Sequence, residues 1–326
     1  VRVRKNANNL TNMERDRYIS AIHGLNRIGS YIYNEIHSIA VYKAHNLPGM
    51  TFSGQVRSAF LPWHRAFILD YERELQNIDP LVSLHYWKFD ENAPNIFNLE
   101  FMGNGGGVLN GSWTGWTVNG VITSRDRTDY SGNVATDMDG LLDMEVLIPS
   151  NFDDFDFMEA NPHARAHQWI GGDMGKIALA VRDPLFFMLH SNVDRLWAEW
   201  QGANNDRSDP NPTSTNVPLM FSQMKPDAYD LIPNPNEPNG NFRIGHEASD
   251  TMWPWNGVIG SFSGGGSSDL GERPNAAPGG SFPSAPLGFS LGPNTATPQV
   301  LDFIDYFGRH SQPSKNLGFC YDIVNY

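Results

Sequence analysis

Three histidines of this chain stand where they could meet on one metal ion. In Pro162-His163-Ala164-Arg165-Ala166-His167-Gln168-Trp169 two imidazoles are four residues apart. On a helix they share one face about one turn from each other, a spacing at which both can reach the same ion. The third, His190, lies in Asp183-Pro184-Leu185-Phe186-Phe187-Met188-Leu189-His190-Ser191-Asn192-Val193-Asp194-Arg195-Leu196-Trp197. A polar ring in so apolar a helical stretch must be ligated or hydrogen-bonded. An isolated pair four apart arises by chance often enough to mean little, and a lone His is usually a surface or core residue; the third ring turns the pair into a candidate site for a transition metal. Asp194 and Arg195 follow one turn on, and their plainest role is an internal salt bridge that fixes the helix.

These residues need helices to carry them. One is expected from about Asn12 to Tyr42 with a break near Gly29, because Tyr18, Ile22 and Leu25 recur at helical spacing after the capping residue Thr11. A second begins at Pro62, carries Phe67, Ile68, Tyr71 and Leu75 on one face, and stops before Asp79-Pro80. Two more hold the histidines: Pro162 to Ile170, closed by Gly171-Gly172, and Asp183-Pro184 to about Gln201. Gly103 to Ser131 has too little periodicity and reads as loop. So do Asn204 to Asn241 and the Gly/Ser/Pro-rich loop 260–293. The 33 residues after Pro293 are too few for a core of their own. The expectation is therefore a single, mainly α domain over 1–326, with long loops, a few short strands and a C-terminal segment 294–326, including Phe319 and Tyr321, docking back on the core.

Bulk properties narrow the partners. With 326 residues, 40% hydrophobic and 12% aromatic, the chain can bury a large core. A net charge of -13, with 23 Lys+Arg against 36 Asp+Glu and no basic run, argues against nucleic acid and anionic membrane and leaves small neutral or polar partners. Cys320 is the only cysteine, so an intrachain disulfide is excluded and thiolate ligation of a metal is disfavoured. No stretch of about 20 apolar residues suggests a membrane span, and Val1 to Lys5 carry no signal-peptide core. A soluble protein is expected, and secretion with a signal already removed is compatible with it.

The longer motifs resemble a known family. The His-x-x-x-His pair followed by Trp-x-Gly-Gly-x-Met, then Asp-Pro-x-Phe-Phe-x-x-His-x-Asn-Val-Asp-Arg-x-Trp, is similar to the second metal-site signature of tyrosinases, catechol oxidases and molluscan-type hemocyanins. Phe60-Leu61-Pro62-Trp63-His64-Arg65, with Tyr71-Glu72-Arg73-Glu74-Leu75 after it, resembles that family's first-site signature. Val3-Arg4-Lys5-Asn6 and Phe319-Cys320-Tyr321-Asp322 resemble the arginine and tyrosine motifs that tie the ends of its core together. The resemblance implies a four-helix core holding two copper ions, each by three His, for dioxygen chemistry. It makes His163, His167 and His190 the second site. In the first site His64 matches the third ligand and His37, 27 residues earlier, the first.

The middle ligand of that first site is absent, because nine residues before His64 stands Gln55. An amide is a poor copper ligand beside imidazole; His45 is the only nearby replacement, and its plain reading is a surface loop residue. Leu189 stands where family members commonly have a second His, and Lys88 where an acidic residue is common. A single ion on three imidazoles with an open position suits Lewis-acid chemistry, for which zinc is the natural ion. Glu159, four residues before His163, matches the glutamate that holds a water beside the metal in some members. It is the candidate general acid or base, with a helix-start role as its bland alternative. By the same resemblance Ala164, Ile177 and Phe186 line the substrate mouth, an apolar wall for an aromatic ring, with core packing as their bland alternative, for Phe186 in particular.

One branch of the family fits an incomplete first site: the hemocyanin-like, zinc-dependent cyclopenases, which turn a benzodiazepinedione into a 4-arylquinolinone with loss of methyl isocyanate. The leading expectation is thus a mononuclear zinc lyase or cyclase acting on a small aromatic natural product. The alternative is a two-copper phenol oxidase. An oxygen carrier would need both sites complete, and a degenerate homologue would hold no metal.

Overall fold

The computed structural model describes residues 1–28, 33–34, 36–37, 60–149, 155–203, 255, 301–304, 306 and 317–324. His45, Gln55 and the loop 260–293 lie outside the described residues. In chain order the elements are β1 Arg2–Arg4, α1 Asn12–Arg27, α2 Phe60–Ile78, β2 Gly107–Val108, β3 Thr117–Val118, β4 Val121–Ile122, β5 Ser124–Arg125, α3 Val134–Met138, α4 Asp143–Val146, α5 His163–Ile170, α6 Leu185–Ala203, α7 Leu301–Ile304 and β6 Phe319–Tyr321. The fold is mainly α with short strands, as the periodicity predicts.

Each long helix follows from its sequence. α1 starts at a capping box: the Thr11 hydroxyl accepts the Glu14 N–H at 3.3 Å and the Glu14 carboxylate accepts the Thr11 N–H at 2.9 Å. Its Tyr18, Ala21, Ile22 and Leu25 are buried against the core, and α1 packs on α2. α2 begins two residues before the expected Pro62; proline is tolerated there because first-turn N–H groups have no intrahelical acceptor. Phe60 through Glu72 are all buried, as are Leu185 through Ala198 of α6. Helices enclosed on every side belong to the centre of a domain, and α2 and α6 pack on each other there. Of the remainder of the predicted first helix, Tyr33, Asn34, Ile36 and His37 are described, and all four are helical and buried.

The ends of the described chain meet beside this pair. β1 runs parallel to β6, with Arg4 opposite Tyr321. The buried Arg4 guanidinium donates to Glu72 at 2.6 Å, to Asp194 at 3.0 Å and to the Tyr321 hydroxyl at 2.9 Å. Tyr321 in turn donates to Asp194 at 2.5 Å, and Arg65 pairs with the other oxygen of the same carboxylate. Asp194 therefore does not bridge to Arg195, the expected partner. Adjacent residues on a helix point about 100° apart; Arg195 reaches Asp143 and Glu199 instead, each at 2.7 Å.

Residues Gly103 to Ser131, expected as loop, contain two small antiparallel pairs, β2 with β5 and β3 with β4. Strands of two residues are too short to show a period of two in sequence, which is why pattern reading misses them.

Candidate metal centre

α5 presents His163 and His167 from one face, and α6 brings His190 against them. The three Nε2 atoms converge: 3.1 Å between His163 and His167, and 3.4 Å from each to His190. Metal–nitrogen bonds of about 2.0–2.1 Å at tetrahedral angles place ligand nitrogens about 3.3–3.4 Å apart, so this donor set fits one transition-metal ion without rearrangement. Among the described residues it is the one group of three His, Cys, Asp or Glu side chains close enough to share an ion.

The rings are turned the right way for ligation. His163 donates its Nδ1–H to the Glu159 carbonyl at 2.8 Å, and His167 its Nδ1–H to the Met174 carbonyl at 2.8 Å. Because a carbonyl can only accept, these bonds put the proton on Nδ1 and leave the Nε2 lone pair facing the shared space. His190 is wholly buried, and burial, followed by the neighbouring imidazoles His64, His163, His167 and His37, holds its pKa well below the usual range. It is neutral at pH 7, as a ligand must be. Its Nδ1 has no hydrogen-bond partner among the described residues. Packing orients it: the His64 ring stacks on it at 4.3 Å and the Phe186 ring lies at 4.2 Å.

Two further imidazoles stand beside this group. His64, on α2, donates Nδ1–H to the Phe60 carbonyl at 2.7 Å, the same local device that His163 uses. The His37 ring lies 5.6 Å from that of His64 and 6.5 Å from that of His190. Five buried or half-buried imidazoles thus come together from four helical segments.

Known proteins resemble this chain in sequence and in fold. A family model, the common central domain of tyrosinase, matches residues 17–141 and 122–203. The chain belongs to the tyrosinase family. A tyrosinase of Streptomyces antibioticus is 30% identical over 259 residues, covering 69% of this chain and 92% of its own, and that of Streptomyces glaucescens is 28% identical over 283 residues, covering 78% and 92%. A functional unit of octopus hemocyanin superposes with a TM-score of 0.56 at 19% identity, over 100% of this chain and 69% of its own. Deoxygenated hemocyanin of Rapana thomasiana gives 0.55 at 19%, over 99% and 70%. At that identity the two structures speak to the fold alone, a helical core shared by the tyrosinase family and hemocyanins.

The remaining residues singled out in the sequence fall in different places. Glu159 is buried at the end of a short 3-10 helix, where its backbone carbonyl holds His163. Phe186, expected at a substrate mouth, is fully enclosed, its ring 4.9 Å from His37 as well as beside His190. Ala164 is half-buried and Ile177 is 41% exposed, so of the three Ile177 is the one open to solvent. Lys88 is half-buried between Asp90 at 3.3 Å and Asp143 at 3.2 Å. Sequence reading does not find the Met174 carbonyl, nor Arg125 and Asp126 around β5, because backbone acceptors and two-residue strands leave no pattern to find. The tyrosinase-family signature Trp-x-Gly-Gly-x-Met, which contains Met174, was the signal available. No helix among the described residues is long and apolar enough to cross a membrane.

Proposed function

We propose that this protein is a copper-dependent oxidase of small phenolic substrates, converting a phenol or catechol to an o-quinone. The observation that carries the reading is the stacking of His64 on His190 at 4.3 Å, with His37 beyond it. A single ion is served by three rings; two more rings in contact with the first set are the donors of a second ion next to it. The bacterial relatives named tyrosinase and a relative named grixazone synthase, 29% identical over 289 residues, favour oxidation over the redox-neutral zinc lyase.

In this reading His163, His167 and His190 hold one copper, and His37 and His64 contribute to the other. The chemistry that copper supplies when bound is electron exchange with dioxygen. The residues of the chain do the rest. The Glu159, Phe60 and Met174 carbonyls fix three ring tautomers. Phe186 shields two of the imidazoles from water, and Ile177 with Ala164 offers an apolar approach for an aromatic ring. Over one turnover a catechol loses two electrons and two protons, which half an equivalent of dioxygen takes up as water; a phenol consumes one dioxygen, one atom entering the ring and the other leaving as water.

Gln55, in the place of the first site's middle ligand, favours a second reading. There the three-His group holds zinc alone and Glu159 serves as acid or base on an aromatic natural product, the cyclopenase-like reaction. Oxygen uptake with catechol separates the two. The oxidase reading expects uptake by copper-loaded protein, abolished in His64→Ala and in His190→Ala. Zinc retention with no uptake by wild-type protein would overturn it.

A further inference from the structure

His167 differs from its neighbours in how it is held. His64 uses the Phe60 carbonyl within its own helix, and His163 uses the Glu159 carbonyl, four residues back at the end of the 3-10 helix that leads into α5. His167 uses the carbonyl of Met174, seven residues ahead and beyond the end of α5. Its aim therefore depends on the path of the turn Gly171–Met174.

That turn is built against β5 and the two residues after it. The Gly172 N–H donates to the Asp126 carboxylate at 2.8 Å. Asp173 and Ser124 exchange two bonds: the Asp173 N–H to the Ser124 carbonyl at 2.9 Å, and the Ser124 N–H to the Asp173 carboxylate at 3.2 Å. The Ile170 carbonyl, one of the last of α5, accepts the N–H groups of Asp126 and Arg127 at 3.2 and 3.1 Å. Gly171 and Gly172 both have positive φ, 67° and 61°, and a Cβ on Gly172 would lie 2.3 Å from the Ser124 carbonyl oxygen. Only glycine lets the turn approach so closely.

The same strand holds the other helix. Arg125 makes a buried two-pronged bond to Asp183, at 2.6 and 2.7 Å, and donates to the Met102 carbonyl at 2.7 Å. Asp183 also accepts the Leu185 N–H at 3.0 Å at the start of α6, the helix of His190. Four consecutive residues thus touch the end of α5 on one side and the beginning of α6 on the other.

We propose that Ser124–Arg127 is a template that sets His167 against His190, with Asp126 and Arg125 as positioning residues for the metal centre. The inference rests on the three-His group being a metal site. Asp126 acts on His167 through the turn and the Met174 carbonyl, and Arg125 acts on His190 through Asp183. Removing the group that a metal-ligating His hydrogen-bonds typically changes metal affinity by about 10–100-fold, and a displaced turn takes the Met174 carbonyl away from His167.

The test is a Co(II) titration of metal-free protein in a His37→Ala background, so that the three-His group alone is read, with the visible spectrum recorded and a competing chelator present. Asp126→Ala should weaken Co(II) binding by about 10–100-fold and diminish the intense tetrahedral bands, whereas Asp126→Asn, which keeps an acceptor for Gly172, should restore both. Histidine-labelled NMR of the metal-free protein adds a reading independent of metal: the His167 Nδ1–H signal should be lost or exchange-broadened in Asp126→Ala only. Unchanged affinity, spectrum and Nδ1–H signal in Asp126→Ala would overturn the template, as would equal losses in the Asn and Ala variants. If the background protein itself binds no Co(II), the metal-site reading fails and the template falls with it.

Discussion

Asp194 offers a quantitative test of the core beneath the metal centre. Its carboxylate is buried and faces two buried guanidiniums, Arg4 at 3.0 Å and Arg65, and it also accepts the Tyr321 hydroxyl. Arg4 has a second carboxylate in Glu72 at 2.6 Å. Arg65 has no other carboxylate among its described partners; it keeps the Phe303 and Ile304 carbonyls at 2.8 and 3.1 Å and lies 3.7 Å over the Trp197 ring. Asp194→Asn removes the charge and keeps the shape, leaving Arg65 a buried cation with dipoles and a ring but no counter-charge. Breaking such a pair from one side costs about 3–5 kcal/mol. With an m-value of about 3 kcal/mol/M, the urea midpoint should fall by about 1–1.7 M. Glu72→Gln should cost less, because Arg4 retains Asp194. Combining Asp194→Asn with Arg65→Met removes both charges and should recover part of the loss. A midpoint for Asp194→Asn within about 0.3 M of wild type, equivalent to about 1 kcal/mol, would refute the reasoning.

Other outcomes follow from the same structure. Gly172→Ala forces a Cβ onto the Ser124 carbonyl at positive φ, and should destabilise by about 2–5 kcal/mol, summing about 1–2 for backbone strain and about 1–3 for overlap; an unchanged melting temperature would contradict the close approach. Burial pushes the His85 imidazole down to about 3 from 6.5. Below pH 6.5 the unfolded chain therefore binds a proton that the folded chain refuses, and stability should fall with pH from 6.5 toward 3 by up to about 1.4 kcal/mol per unit. His85→Asn should flatten the change in urea midpoint between pH 7 and 5, and identical slopes in the two proteins would count against a neutral buried ring. Gln55→His should raise copper uptake at the first site; no change in copper content would show that Gln55 does not occupy the ligand position.

The histidine site was legible because helix periodicity is local: four residues place His163 and His167 on one face whatever surrounds them, and an apolar helix around His190 demands a partner for the ring. The longer motifs carry the reading to the family, and periodicity places the two central helices and the short helix of His163 and His167 to within a few residues of their observed ends. What could not be read depends on contacts between distant parts of the chain. Asp194 was assigned to Arg195, its neighbour, and pairs with Arg4 and Arg65 because only the packed fold brings α2, α6 and β1 together. Phe186, for which the sequence leaves a substrate mouth and core packing both open, is enclosed, since helical periodicity does not say which apolar residue a ligand ring will cover. The turn that aims His167 relies on backbone groups and two-residue strands, which have no side-chain pattern. Zinc follows from Gln55 with Leu189 and Lys88; the contact of the His64 and His37 rings with the three-His group and the relatives named tyrosinase favour copper.

The claim on which all of this depends is that His163, His167 and His190 hold a metal together. Copper-loaded protein, dialysed against a moderate chelator and analysed for metal per chain, tests it most directly. Wild-type protein should keep at least one copper through dialysis, and His190→Ala should keep one fewer than wild type. Wild-type protein that keeps none, or a variant that keeps as much as wild type, would contradict the account.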